Sequence, residues 1–369
     1  MREDAAAAPT LLESRIAAQI EAEGPIDLAT FMTLALAHPT LGYYPVHVAL
    51  GAAGDFVTAP EVSQVFGELI GLACADAWQR AGAPPVRLVE LGPGNGTLMA
   101  DLCRATASVP GFRAALEVHL VETSPALRAV QAERLAGLER VHWHADLAAV
   151  PTDRPLLLVA NELFDALPIR QFIKEADGWR EIEVALDGAG RLCLAPSAAV
   201  SPLTIRLGEA PAGCVVELSP AREALMAEIA GRLTMQGGTA LIIDYGEFEP
   251  TPGSTLQAVH RHRKVDPLTR PGEVDLSSRV AFGPLARIAR EAGLRVFGPL
   301  PQGVFLDRLG AAVRHARLLQ TASPRQSAAL TAGYRRLTAA DAMGTLFKVM
   351  AFTAWPLVPP GFLAEEALA

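Results

Sequence analysis

Apolar positions change rhythm along the chain. Over 11–23, Leu12, Ile16 and Ile20 recur at helical spacing among alanines, and 26–38 reads as a second helix ending at His38-Pro39. Residues 41–55 are rich in glycine and aromatics without a period, and Thr58-Ala-Pro-Glu61 opens a helix running to about 82. From Val86 the texture changes, because short apolar runs begin to alternate with longer helical patterns, as in a parallel α/β sheet. Strands are predicted at 86–91, 117–121, 141–144, 155–160 and 239–244, with crossover helices at 97–107, 126–135 and 220–233. Leu156-Leu-Leu-Val159 and Ala240-Leu-Ile-Ile243 are continuously apolar, as strands covered on both faces must be.

The gap between the fourth and fifth strands is too long for one crossover. It contains alternating patterns at 179–184 and 191–194 around Asp187-Gly-Ala-Gly190, which predicts a β-hairpin inserted in the sheet at about 172–200. A polar loop rich in proline and glycine follows Tyr245 over about 246–275, a length usually tied to function. A helix at 280–292, a strand at 294–297, helices at 305–319 and 324–337 and a closing strand at 346–353 complete the chain. The expected fold class is α/β, with a mainly parallel Rossmann-like sheet, an N-terminal helical extension at 1–83 and a core at 84–369 that carries the hairpin and the C-terminal helices.

Composition narrows the partners. The 369 residues are 50% hydrophobic, and 32 basic against 40 acidic residues leave a formal net charge of −8, which disfavours nucleic acid and anionic membrane as partners. No apolar run reaches the roughly 20 residues of a spanning helix. Cys74, Cys103, Cys193 and Cys214 show no paired spacing, so no zinc site or disulfide framework is expected and the reduced cytoplasm is the expected compartment. His142-x-His144 and His260-x-His262 lack a third ligand, so no metal is expected. Arg261, Arg263 and Lys264 read as a solvated loop or substrate lip.

The most informative stretch is Leu88-Val-Glu-Leu-Gly-Pro-Gly-Asn-Gly96, where a strand ends in glycines and a helix begins. The glycines at Gly92, Gly94 and Gly96 are spaced G-x-G-x-G, Thr97 stands where a dinucleotide fingerprint has its third glycine, and Pro93 removes a donor from any phosphate cradle. Glu90 suits a cationic amino-acid ligand better than a pyrophosphate. Glu122 at the end of the second strand can accept from two ribose hydroxyls, and Asp146 past the third from an adenine amino group. Three successive strand ends thus match the S-adenosylmethionine site of class I methyltransferases, with Thr123, Ser124, Leu147 and Asn161 beside it and Asp55, Phe56 and Thr58 closing over the methionine end.

With Leu41-Gly-Tyr-Tyr44, Gly54-Asp-Phe-Val-Thr-Ala-Pro-Glu61, Val121-Glu-Thr-Ser-Pro125, Ala160-Asn-Glu-Leu-Phe-Asp165 and Asp244-Tyr-Gly246 added, the sequence resembles the MidA family over almost its whole length. The resemblance implies an S-adenosylmethionine-dependent methyltransferase related to mitochondrial complex I assembly factors that dimethylate arginine, hence a protein substrate. The chain departs from the family at Arg279-Val-Ala-Phe282, where the family tends to carry His-Val-Asp-Phe.

Methyl transfer from a sulfonium is an in-line displacement, so the acceptor must be aligned opposite the sulfur. Glu162 and Asp165, at the carboxyl end of the fourth strand, are the expected catalytic pair, able to hold a guanidinium and take its proton. Asp244 and Tyr245 are expected to border the acceptor. The alternatives are a small-molecule O- or N-methyltransferase and a noncatalytic assembly factor that binds S-adenosylmethionine.

Overall fold

Thr10 starts the first helix, Leu11–Glu23, by a reciprocal capping box with Glu13. The computed structural model describes residues 9–46, 57–260 and 263–368. The second helix begins later than its apolar pattern suggests, at Leu28, because the Asp27 carboxylate accepts from the Thr30 N–H and Ile26–Asp27 pairs instead with Gly178–Leu186 as a short strand. The helix expected at 58–82 is two, Ala59–Val62 and Gln64–Arg80, because Ser63 is extended and caps the second with its hydroxyl.

The central sheet has β1 (Val86–Leu91), β2 (Leu116–Val121), β3 (Val141–His144), β4 (Leu156–Asn161), β5 (Gly238–Glu247), β6 (Arg295–Pro301) and β7 (Phe347–Thr353) in the order β6-β7-β5-β4-β1-β2-β3. Strands β1 to β5 are parallel to their neighbours and β7 runs antiparallel between β5 and β6. Alternate residues feed two cores. Leu88, Leu157 and Ile243 meet Phe66, Ile70 and Leu98 on one face, while Val89, Leu158 and Ile242 meet Met226, Ile229 and Leu285 on the other.

The hairpin forms, Gly178–Leu186 against Leu192–Pro196, but it does not join the central sheet. Both edges of β4 are already taken by β1 and β5, so the hairpin builds a second, five-stranded antiparallel sheet with Ile26–Asp27, Arg170–Glu175 and Val215–Leu218. The expected loop at 246–275 also differs, because it contains two strands, Gln257–His260 and Arg263–Val265, of a three-stranded sheet completed by Asp275–Ser277. Ala258, Val274 and Leu276 pack there on Leu28, Phe31 and Met32 of the second helix. The helix expected at 305–319 splits at Gly310, whose φ of 92° is left-handed, into Gln302–Arg308 and Ala311–Leu319. Among the described residues no helix is long and apolar enough to cross a membrane.

Helix Gln64–Arg80 crosses Thr97–Thr106 closely, since a Cβ on Gly71 would lie 2.8 Å from Leu102 Cα. That approach brings Glu68, 2% exposed, against Arg104 at 2.7 Å and Arg314 at 2.6 Å. Burial works to raise the Glu68 pKa, but hydrogen bonds and charge from Arg314 and Arg104 outweigh it and hold the carboxyl below its ordinary value. Glu68→Ala should therefore cost about 2–4 kcal/mol at pH 7, seen as a lower melting temperature. The deficit should shrink in acid as the native carboxylate protonates. An unchanged melt at pH 7 contradicts this account.

Candidate cofactor and acceptor site

Strand β1 ends in a turn where Gly92, Gly94 and Gly96 all have left-handed φ, 63°, 52° and 74°. A Cβ on Gly92 would lie 2.9 Å from Leu163 Cδ1, so the turn is closed to larger residues. Just before it, Glu90 is 3% exposed with Oε2 unpartnered, and burial, opposed by the Met99 N–H, pushes its carboxyl up to about 8. The turn forms one end of a cavity of about 770 Å³ that reaches past the carboxyl ends of β1 to β5.

At the end of β2, the Glu122 carboxylate accepts from the Ser124 N–H at 2.7 Å and from Gln131 Nε2 at 3.3 Å. Gln131, fully buried, also donates to Gly94 O at 2.7 Å and accepts from Trp143 Nε1 at 2.9 Å, tying the glycine turn to the second strand end. Thr123, Asp146 and Leu147 line the cavity beyond Glu122, and Thr97 lines it beside the turn. Ser124 does not. It is 1% exposed and caps helix Pro125–Arg134, while Gly96 caps Thr97–Thr106 behind the cavity wall.

The other half of the cavity is acidic. Glu162 has φ +50°, strained for a residue with a side chain, and its N–H donates to Ile243 O. Its Oε1 accepts from the Ala59 N–H at 2.7 Å and from Asn161 Nδ2 at 3.2 Å, which leaves Oε2 for the cavity and Asn161 Oδ1 buried without a partner. Burial pushes Glu162 up to about 7, against the Ala59 N–H and with help from Asp165. Asp165 is pushed up to about 6 by burial, which the Arg222 charge only partly offsets.

Asp244 is not part of the lining. It is fully buried, accepting from the Asp165 N–H at 3.1 Å and the Tyr245 N–H at 2.8 Å, so it fixes the two residues that do face the cavity. Burial and then Asp165 raise its pKa well above the ordinary range. Tyr245 lines the acceptor side, where its hydroxyl meets Ser277 Oγ at 2.9 Å and Gln257 Nε2 at 2.8 Å. Thr58 lines the cavity, whereas Asp55 and Phe56 lie outside the described residues, as do Arg261 and His262.

Several lining residues escape a reading of the sequence. Glu61 accepts from Thr97 Oγ1 and Asn95 Nδ2 over the glycine turn, and Tyr44 donates to Asp275 Oδ1 at 3.1 Å across the acceptor half. Lys264, Asp275, Ser277, Arg279 and Arg336 also face the space. Tyr44 and Glu61 had a signal as members of two of the quoted motifs, and Lys264 as part of the basic cluster read as a solvated loop or substrate lip.

The sheet order, the glycine turn and the acidic strand ends define a class I S-adenosylmethionine-dependent methyltransferase. A family model described as an S-adenosyl-L-methionine-dependent methyltransferase matches residues 69–300. The chain is 36% identical to the mitochondrial protein arginine methyltransferase NDUFAF7 of Xenopus tropicalis, over 94% of this chain and 86% of that one. The Drosophila melanogaster homologue, also named mitochondrial, is 36% identical over 96% and 86%. A crystal structure from Burkholderia thailandensis bound to S-adenosyl-homocysteine superposes with a TM-score of 0.84 at 29% identity, covering 97% of this chain and 95% of that one. The chain belongs to the MidA family of S-adenosylmethionine-dependent methyltransferases. The cytoplasmic compartment expected from the cysteines does not stand, because these curated relatives are named mitochondrial.

The raised Glu162 carboxyl has a cost that can be measured. A group whose native pKa exceeds its unfolded one loses stability as pH rises between the two. Glu162→Gln keeps an oxygen for Ala59 and cannot ionise, so its stability relative to the parent should grow from pH 5 to pH 8 by on the order of 1–2 kcal/mol. Melting curves at the two pH values check this, and a constant difference refutes it.

Proposed function

We propose that the protein methylates arginine side chains of a protein partner, with Glu162 and Asp165 as the seat of the guanidinium. The observation that carries this reading is two cavity-facing carboxyls on the turn after β4, with Asp244 buried behind them. Burial raises all three, the Asp165 charge adds to it at Glu162 and Asp244, and a planar cation entering the cavity offsets that charge. The relatives named protein arginine methyltransferases support the same acceptor, and the respiratory complex I subunit implied by the family resemblance is the first partner to assay.

The cofactor half suits S-adenosylmethionine. The unpartnered oxygens of Glu90 and Asn161 fit its cationic ammonium group, and the backbone of the Gly92 to Gly96 turn accommodates the methionine chain between Thr97 and Thr58. Glu122 receives the ribose hydroxyls with Thr123 and Ser124 setting its strand end, and Asp146 with Leu147 takes the adenine. When bound, the cofactor supplies an electrophilic methyl on a sulfonium.

Glu162 and Asp165 orient one guanidinium nitrogen at that methyl carbon, and Tyr245 closes the side of the pocket that Asp244 holds in place. As the N–C bond forms, the C–S electron pair stays on sulfur and the nitrogen's proton passes to Glu162 Oε2. A carboxyl poised near 7 can receive it at neutral pH.

Transfer of labelled methyl in lysate of cells lacking the protein, followed by mass spectrometry, should find the label on arginine. Glu162→Gln should lower turnover by about 10²-fold while calorimetry shows an affinity for S-adenosylhomocysteine close to the parent's. Label on no arginine, or full activity of the variant, overturns the reading. Glu122→Ala should weaken S-adenosylhomocysteine by roughly tenfold or more in the same calorimeter. Because the free enzyme must ionise carboxyls near 6 and 7 to hold a cation, kcat/KM should rise from pH 6 to pH 8 and then level. A flat profile contradicts the assignment.

A further inference from the structure

The acceptor half of the cavity has an acidic floor and a basic rim. In the three-stranded sheet, Lys264 is paired with Val259 and Val259 with Asp275, while Gln257 is paired with Ser277, so these side chains share one face. Lys264, Asp275, Gln257 and Ser277 all line the cavity. Arg279 follows two residues after that sheet and is held by its backbone, its N–H donating to Thr255 Oγ1 and its carbonyl accepting from Arg222 Nη1. Lys264 and Arg279 are exposed, and among the described residues neither forms an ion pair, in a chain whose net charge is −8.

These two exposed cations share the lining of a cavity proposed to take a guanidinium, which they would repel. They do not neutralise the floor either, since Glu162 and Asp165 owe their offsetting contacts to Ala59, Asn161, Arg336 and Arg222. They lie on the acceptor wall with Tyr245 and Ser277, away from the glycine turn. Arg279 also borders a second, smaller cleft, whose charged lining is mixed, with Arg206 beside Glu217, Glu223 and Glu249.

Resting on the arginine reading above, we propose that the acceptor is an extended protein segment whose target arginine enters the cavity while an acidic side chain beside it pairs with Lys264 and Arg279. An extended strand rises about 3.3 Å per residue and alternates its side chains, so a residue close to the arginine in sequence is the one that reaches the rim. Charge reversal at a rim of this kind acts on partner choice and salt dependence.

The test uses the full chain saturated with S-adenosylhomocysteine and fluorescent peptides that differ only in whether aspartate, alanine or lysine flanks a central arginine. Anisotropy should show the aspartate peptide binding about tenfold tighter than the alanine peptide, with the advantage shrinking as salt rises. Lys264→Glu with Arg279→Glu should abolish or invert that order, and Lys264→Gln with Arg279→Gln should flatten it should the reversed pair not fold. Equal binding of the three peptides, or a preference that survives the substitutions, overturns the proposal.

Labelled-methyl transfer to the same peptides separates it from the reading it rests on. Arginine methylation that ignores the flanking residues removes the rim and leaves the arginine reading intact. Charge-dependent binding with no methylated arginine supports the rim and removes arginine as the acceptor.

Discussion

Arg222 holds the proposed acceptor site together. It is 5% exposed, and its guanidinium donates to the carbonyls of Phe164, Asp165, Ser278 and Arg279 and to the Ser278 hydroxyl. The turn after β4, the segment leaving the three-stranded sheet and helix Pro220–Gln236 are thereby fixed to one another. A buried cation needs nearby negative charge, and Asp244 and Asp165 provide it. The arrangement works in both directions, since the Arg222 charge lowers the pKa of both Asp165 and Asp244 against their burial.

The compensation is incomplete: Arg222 offsets Asp165 and Asp244, Arg336 offsets Glu162, and neither outweighs burial. Burial therefore still wins at Glu162, Asp165 and Asp244, and the excess acidity points into the cavity. The strain at Glu162 belongs to the same design. Only a left-handed residue there lets the main-chain N–H reach Ile243 O while the side chain meets the N-terminus of Ala59–Val62, so the N-terminal extension is anchored directly on the proposed catalytic carboxylate.

What the sequence reveals follows from which forces act locally. Strands β4 and β5 are legible because burial on both faces forces continuous apolar runs, and the glycine turn because its backbone excludes side chains. The three-stranded sheet is not, since strands such as Arg263–Val265 owe their pairing to the helix they pack on rather than to any pattern of their own. Gln131 and Arg222 sit on amphipathic helices and look like solvated residues. Their roles come from contacts 37 and 58 positions away along the chain. Asp244 illustrates a subtler limit: a carboxylate at a strand end was expected to touch the acceptor, and it instead orders the two residues beside it.

The charge balance of the proposed reaction accounts for the acid excess. A cationic arginine and a cationic sulfonium enter, and a cationic methylarginine, a neutral sulfide and a proton result. Burial raises Asp244 well above the ordinary range, so Glu162 and Asp165 are the carboxyls open to exchange, and Glu162, pushed up to about 7, gives the released proton a destination within the site. A solvated carboxylate of ordinary pKa could bind the same cation, but it would hold that proton far less well at neutral pH.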